Sequence, residues 1–256
     1  MKHSKLSPSG IKTWANCPGS VQLIEALDQP PEDMSDKPAA LEGTIAHYIV
    51  EKCLLEDLST DQFILRNVKT PEGYSYYANS DLIEAVNVYL SYIRGLKAKE
   101  FRVEQFYSLT SLGVPGLDGG TCDFIAYDKA NKTLEIVDFK NGVADVVSPV
   151  WNGQLMQYAI GFFLEELPEL TEFELEAWRI RLTIVQPRGL QEEKISQWDL
   201  SYSDLWTWVN EYLIVSAEAT RAPDAQLNPS PEACRWCRAK TSCPAYQELI
   251  VLLLDN

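Results

Sequence analysis

Asp138 and Lys140 flank Phe139 in a D-x-K triplet, and a strand would send both side chains from one face. A carboxylate beside an ammonium suits phosphodiester hydrolysis. The acid ligates a hard cation, Mg²⁺ or Mn²⁺, while the lysine positions or deprotonates water or offsets charge at phosphorus. Asp123 closes Gly120-Thr121-Cys122-Asp123 and would add a second carboxylate from a neighbouring antiparallel strand. Gln154 and Tyr158, at i and i+4, share a helix face and can hydrogen-bond a phosphate or a catalytic lysine. His47 closes Gly43-Thr44-Ile45-Ala46-His47, where small Gly43 and Ala46 would let a helix lie close to the sheet, and its imidazole suits Mn²⁺ better than Mg²⁺. An isolated aspartate is more often a turn residue, and an isolated helical histidine more often structural. The ordered set is what points to a metal-dependent nuclease centre.

A second constellation lies at the two ends of the chain. Cys234, Cys237 and Cys243 form C-x2-C-x5-C, a spacing that lets three thiolates converge, and Cys17 lies far upstream. A site using all four ties one end of the chain to the other. Such a set suits Zn²⁺ or an iron–sulfur cluster, and spacing alone does not separate them. Arg235, Arg238 and Lys240 would favour the thiolate forms. Cys53 and Cys122 sit in apolar runs and read as packing residues.

The elements that must position these groups follow from periodicity. Ser7-Pro8-Ser9 opens a short capped helix, with a turn at Cys17-Pro18. Residues 29–38 read as a loop, 39–55 as the helix carrying His47, 69–73 as a turn and 80–97 as a second amphipathic helix. Residues 101–109, 120–127 and 133–139 are rich in β-branched and aromatic residues and predict a three-stranded meander. Helical spacing resumes over 149–164, with Pro149 in the first turn. Two strands are expected at 174–186 and 193–198, a long helix at 202–220, and a linker at 222–231. The order predicts an α/β fold with a central mixed sheet flanked by helices. Trp151 is expected in the core, with base stacking as its functional alternative.

With 256 residues, 46% of them hydrophobic, the chain can bury a full core. No apolar run reaches bilayer length, so no membrane role is expected. The first residues lack the apolar stretch of a signal peptide, and six cysteines without export predict metal or redox use in a reducing cytoplasm rather than disulfides. The net charge of −15 opposes a general attraction to DNA. Clusters at Arg94, Lys97, Lys99 and Arg102, and at Lys2, Lys5 and Lys12, relieve it locally.

G-x-x-x-H, G-x-x-D, D-x-K and Q-x-x-x-Y, in that order and preceded by Ser7-Pro8-Ser9 and Cys17-Pro18, resemble the RecB-type branch of the PD-(D/E)XK nucleases. That branch includes the Cas4 proteins and the AddB nuclease domain. The chain looks most similar to a phage-associated, DUF2800-like group. The resemblance spans nearly the whole chain and implies a restriction-endonuclease-like core. It implies metal ligation by His47, Asp123, Asp138 and the backbone carbonyl of Phe139, catalysis by Lys140, and assistance from Gln154 and Tyr158. Glu104 stands where the family has a further acid. It also implies a [4Fe-4S] cluster on Cys17, Cys234, Cys237 and Cys243, in a structural role.

The expectation is therefore one nuclease domain over 1–256: an N-terminal segment (1–38), a core (39–220) and a cluster-binding segment (221–256). Its activity would be metal-dependent exonucleolytic cleavage of single-stranded DNA or DNA ends, with recombination or replication proteins of a phage or another copy of the chain as partners. The alternative is a non-catalytic, cluster-stapled DNA-binding or assembly module, against which the intact Asp123, Asp138 and Lys140 speak.

Overall fold

The structure is a computed structural model that describes residues 4–27, 37–143 and 145–254. The chain enters through a 3-10 turn (Pro8–Gly10), then α1 (Ile11–Trp14) and α2 (Gly19–Ala26). Most of the loop expected at 29–38 lies outside the described residues, and Pro38 itself opens α3 (Pro38–Leu55), where its fixed φ and missing N–H cost nothing. A small hairpin follows, β1 (Arg66–Lys69) and β2 (Ser75–Ala78), around the expected turn. Its strands bury little beyond Val68 and Ala78, so they carry no hydrophobic period to announce them. The Asn79 side chain accepts from Leu82 N–H and caps α4 (Ser80–Gly95).

The meander forms as its period predicts: β3 (Glu100–Ser108), β4 (Gly119–Asp128) and β5 (Thr133–Phe139), all antiparallel. Asp128 accepts from the N–H groups of Ala130 and Asn131 and closes the second turn. Next comes α5 (Gly153–Glu166), which starts later than expected. Asn152 is its cap, accepting from the N–H groups of Gln154 and Leu155, so Pro149 stays outside the helix. The strand expected from residue 174 begins instead as α6 (Glu172–Leu175), because Thr171 and Glu174 complete a reciprocal capping box. Only then does β6 (Arg179–Val185) run, parallel to β5, with β7 (Ile195–Leu200) antiparallel at the edge. Continuous helical structure follows as α7 (Tyr202–Trp208), a π turn (Val209–Leu213) and α8 (Ile214–Ala219). The chain closes with α9 (Pro231–Cys234) and α10 (Pro244–Leu254).

The sheet order is β3-β4-β5-β6-β7, mixed, with helices on both faces. On β5, Leu134 and Ile136 enter the core shared with α5 and α7, while Val137 and Phe139 enter the core shared with α3 and α4. Strand parity therefore points Asp138 to the α5 side. Among the described residues, no helix is long and apolar enough to cross a membrane.

Candidate active site

The site starts from an irregularity in the sheet. Val103 pairs with Phe124 and Gln105 with Cys122, so Glu104 and Asp123 face each other between them. Glu104 has φ +48°, a left-handed conformation that a non-glycine strand residue adopts only at a cost. On β4, Ile125 and Tyr127 enter one core and Phe124 and Ala126 the other, but Cys122 joins the first, so alternation breaks at Asp123. There α3 brings in His47, whose Nδ1 lies 3.4 Å from Glu104 Oε1 and 3.6 Å from Asp123 Oδ1. One ligand atom from each of these three residues lies within 4.8 Å of the other two.

Charge balance in this cluster is tight. Burial lowers the His47 pKa, but Asp123 and Glu104 outweigh it and hold the imidazole at about 9. Burial pushes Asp123 up to about 7, with Asp138 and Glu104 adding to the rise and His47 opposing it. Asp123 Oδ2 also accepts the Phe139 N–H at 2.7 Å, which ties β4 to the end of β5. The Phe139 ring lies in the core, stacked on Tyr89 at 4.7 Å and tilted against His47 at 5.5 Å.

Asp138 is one strand over, outside the trio, and 1% exposed. Lys140 lies just past the strand end rather than within it, with Nζ 2.7 Å from Asp138 Oδ2. Beyond this ion pair, neither Asp138 oxygen has a hydrogen-bond partner among the described residues. Lys140 Nζ also donates to Gln154 Oε1 at 3.1 Å, and Gln154 Nε2 donates to Tyr158 Oη at 3.1 Å. Burial lowers the Lys140 pKa, but Asp138 and Asp123 overcome it and raise it. Burial, with Asp138 and Asp123 behind it, pushes the Tyr158 phenol far above its ordinary range.

Two expectations need correction. Gly43 is not the point of close approach, since a Cβ there would meet nothing within 4 Å. Gly120 is: its Cβ would lie 2.7 Å from Pro8 Cγ and 3.4 Å from Tyr158 Cε1. Trp151 is not in the core either, being 56% exposed with φ +51°. Glu104 had no local signal, because its place depends on strand pairing and on its own unusual backbone.

The chain ends meet. Gly19 N–H donates to Gln226 O at 2.9 Å, and Gln22 Nε2 reaches the carbonyls of Thr220 and Ala222. Asn228 N–H donates to Cys17 Sγ at 3.2 Å. Cys17, Cys234 and Cys243 are buried, Cys237 is half-buried, and all four are free thiols. Burial raises Cys17 and Cys237, with added repulsion from the other cysteines of the set, so the four lie within one another's field. Cys53 and Cys122 are buried in the core.

The molecule is thus a mixed α/β protein whose sheet carries an acid, histidine and lysine cluster, with its two ends brought together. A family model described as "Protein of unknown function (DUF2800)" matches residues 3–253, and the chain belongs to that family. A solved structure titled "Crystal structure of SSO0001" is similar at a TM-score of 0.34 and 16% identity, over 90% of this chain and 95% of that one.

Proposed function

We propose that this chain is a metal-dependent deoxyribonuclease with a PD-(D/E)XK core, acting as an exonuclease on single-stranded DNA or DNA ends. The observation that carries the reading is Asp138: a buried carboxylate ion-paired with Lys140, with no further hydrogen-bond partner among the described residues, next to the His47, Glu104 and Asp123 trio. Three carboxylates, Glu104, Asp123 and Asp138, against one imidazole and one ammonium leave buried negative charge that a further cation would offset. Carboxylate oxygens and one imidazole are the donors Mg²⁺ or Mn²⁺ takes, so the residues fit. His47, Asp123 and Asp138 would hold the ion, with Glu104 beside them and the Phe139 carbonyl as a backbone ligand.

When bound, the ion supplies Lewis-acid polarisation of a phosphoryl oxygen and acidifies water. The chain's own residues do the rest. Lys140 keeps its proton at Nζ and offers that charge to the phosphoryl oxygens as water adds to phosphorus, gives its proton to solvent, and the P–O bond to the leaving oxygen breaks. Gln154 fixes the ammonium through its carbonyl, and Tyr158 fixes Gln154 through its amide.

The four cysteines fit a [4Fe-4S] cluster in a structural role. Backbone N–H groups already point at their sulfurs, from Asn228 to Cys17 and from Ala239 to Cys237, as suits a cluster whose charge must be offset. Iron and sulfide in anaerobically purified protein test that assignment, and zinc in their place would refute it. End-labelled single-stranded and duplex DNA with Mn²⁺ or Mg²⁺ tests the activity. Stepwise shortening from an end is expected, and DNA left intact under every metal contradicts the reading.

A further inference from the structure

We propose that Trp151, seated on Trp198, is a stacking platform for an unpaired base of a DNA strand that leads to the Asp138 and Lys140 site. The proposal rests on the phosphodiesterase reading above. Trp151 and Trp198 hold their rings at 4.9 Å and 52°, and Trp151 remains 56% exposed. Its φ of +51° is a conformation that a bulky residue adopts only against a cost, which solvent exposure does nothing to repay. Residues so held concentrate where ligands are gripped.

Its place in the fold supplies the direction. Trp151 immediately precedes Asn152, the cap of α5, and stands three residues before Gln154, which accepts from Lys140. Trp198 lies on edge strand β7, opposite Leu182, which is itself beside Ile136. It therefore faces the same side of the sheet as Asp138. Two strand spacings of about 4.8 Å and two residues of about 3.4 Å put Trp198 on the order of 12 Å from Asp138. A few nucleotides span that distance.

Charge fits the same occupant. Lys194, at the start of β7, is exposed and donates to the carbonyls of Gly189 and Gln191, both at 2.8 Å. Among the described residues it meets no carboxylate, which in a chain of net charge −15 leaves an ammonium for a phosphate. An aromatic face and a cation four residues, or about 13 Å, apart along one sheet edge match single-stranded nucleic acid, whose bases have open faces and whose phosphates repeat over such a distance. Bases inside a duplex are already stacked and offer none.

The test is fluorescence anisotropy with a fluorescein-labelled oligothymidylate and a fully paired, blunt-ended duplex, in chelator so that nothing is cleaved. Wild type is expected to prefer the single strand. Trp151→Ala should weaken that binding about tenfold with an unchanged melting temperature, and Trp151→Phe should retain most of it. Lys194→Gln should reduce the salt slope of binding by about 0.7. Equal affinity in wild type and Trp151→Ala, or no single-strand binding by wild type, overturns the platform. The two readings fail separately. Trp151-dependent binding without cleavage on adding Mn²⁺ keeps the platform and removes the nuclease, and cleavage with Trp151-independent binding does the reverse.

Discussion

At the scale of single residues, the site is a problem in electrostatics that the proposed divalent cation would resolve. Glu104, Asp123 and Asp138 converge, and with no cation present His47 and Lys140 are held protonated against them. A metal ligand must be deprotonated, so the cation has to displace the proton of His47. The His47 pKa is raised to about 9, so its proton competes below that pH and not above it. Mn²⁺ affinity should rise about tenfold per pH unit up to about pH 9 and then flatten. Below about pH 7, where Asp123 also takes up a proton, the dependence should steepen. Calorimetry across pH 6 to 10, roughly the span of those two groups, checks this; an affinity independent of pH contradicts it. Local spacing makes two pairs legible in the sequence, while His47 and Asp123 enter only through the order of the motifs. Asp138 and Lys140 are two apart on an extended chain, and Gln154 and Tyr158 four apart on a helix, so periodicity alone groups them. Glu104 acquires its place only through pairing with β4 and a left-handed φ, which no local pattern records.

At the scale of elements, the G-x-x-D glycine is a packing requirement. The opening 3-10 turn and α5 both press on Gly120, where a Cβ would lie 2.7 and 2.8 Å from Pro8 Cγ and Cδ. Gly120→Ala should therefore destabilise the fold by about 1–3 kcal/mol and disturb Tyr158, read out by denaturant unfolding. A midpoint equal to wild type would show that Pro8 yields freely. The loop between β5 and α5 is held by Gln186, which donates to the carbonyls of Gly142 and Asp145 and accepts from Val147 N–H. Arg235, beside Cys234, is paired with Asp145 of that loop, so the cysteine segment touches the connection that begins at Lys140. The meander and main helices are legible because they bury one face each. The β1–β2 hairpin is not, because it buries almost nothing. The α6 turn is masked because Glu172-Phe173-Glu174-Leu175-Glu176 alternates with the period of a strand, yet a capping box of two residues decides it against the strand.

At the scale of the molecule, the sheet with the candidate site is joined by chain ends that hydrogen-bond to each other before any metal is considered. Those contacts are few and partly exposed, so a cluster on the four cysteines should supply much of the closure. Cys17→Ser is expected to lose iron and to melt on the order of 5–10 °C lower, a loss of a few kcal/mol in a chain of this size. An unchanged melting curve and iron content would remove the clasp. The acidic surface, with a net charge of −15, makes affinity depend on a local track of contacts rather than on a general field. The measurement that bears most directly on the whole is the release of nucleotides from labelled single-stranded DNA by Asp138→Ala beside wild type, in Mn²⁺ and in chelator. Wild type should act only with metal. Asp138→Ala should fall about a thousandfold while its melting curve shows it folded, as expected when several kcal/mol of metal-assisted stabilisation are lost. Equal release by the two proteins would contradict the assignment.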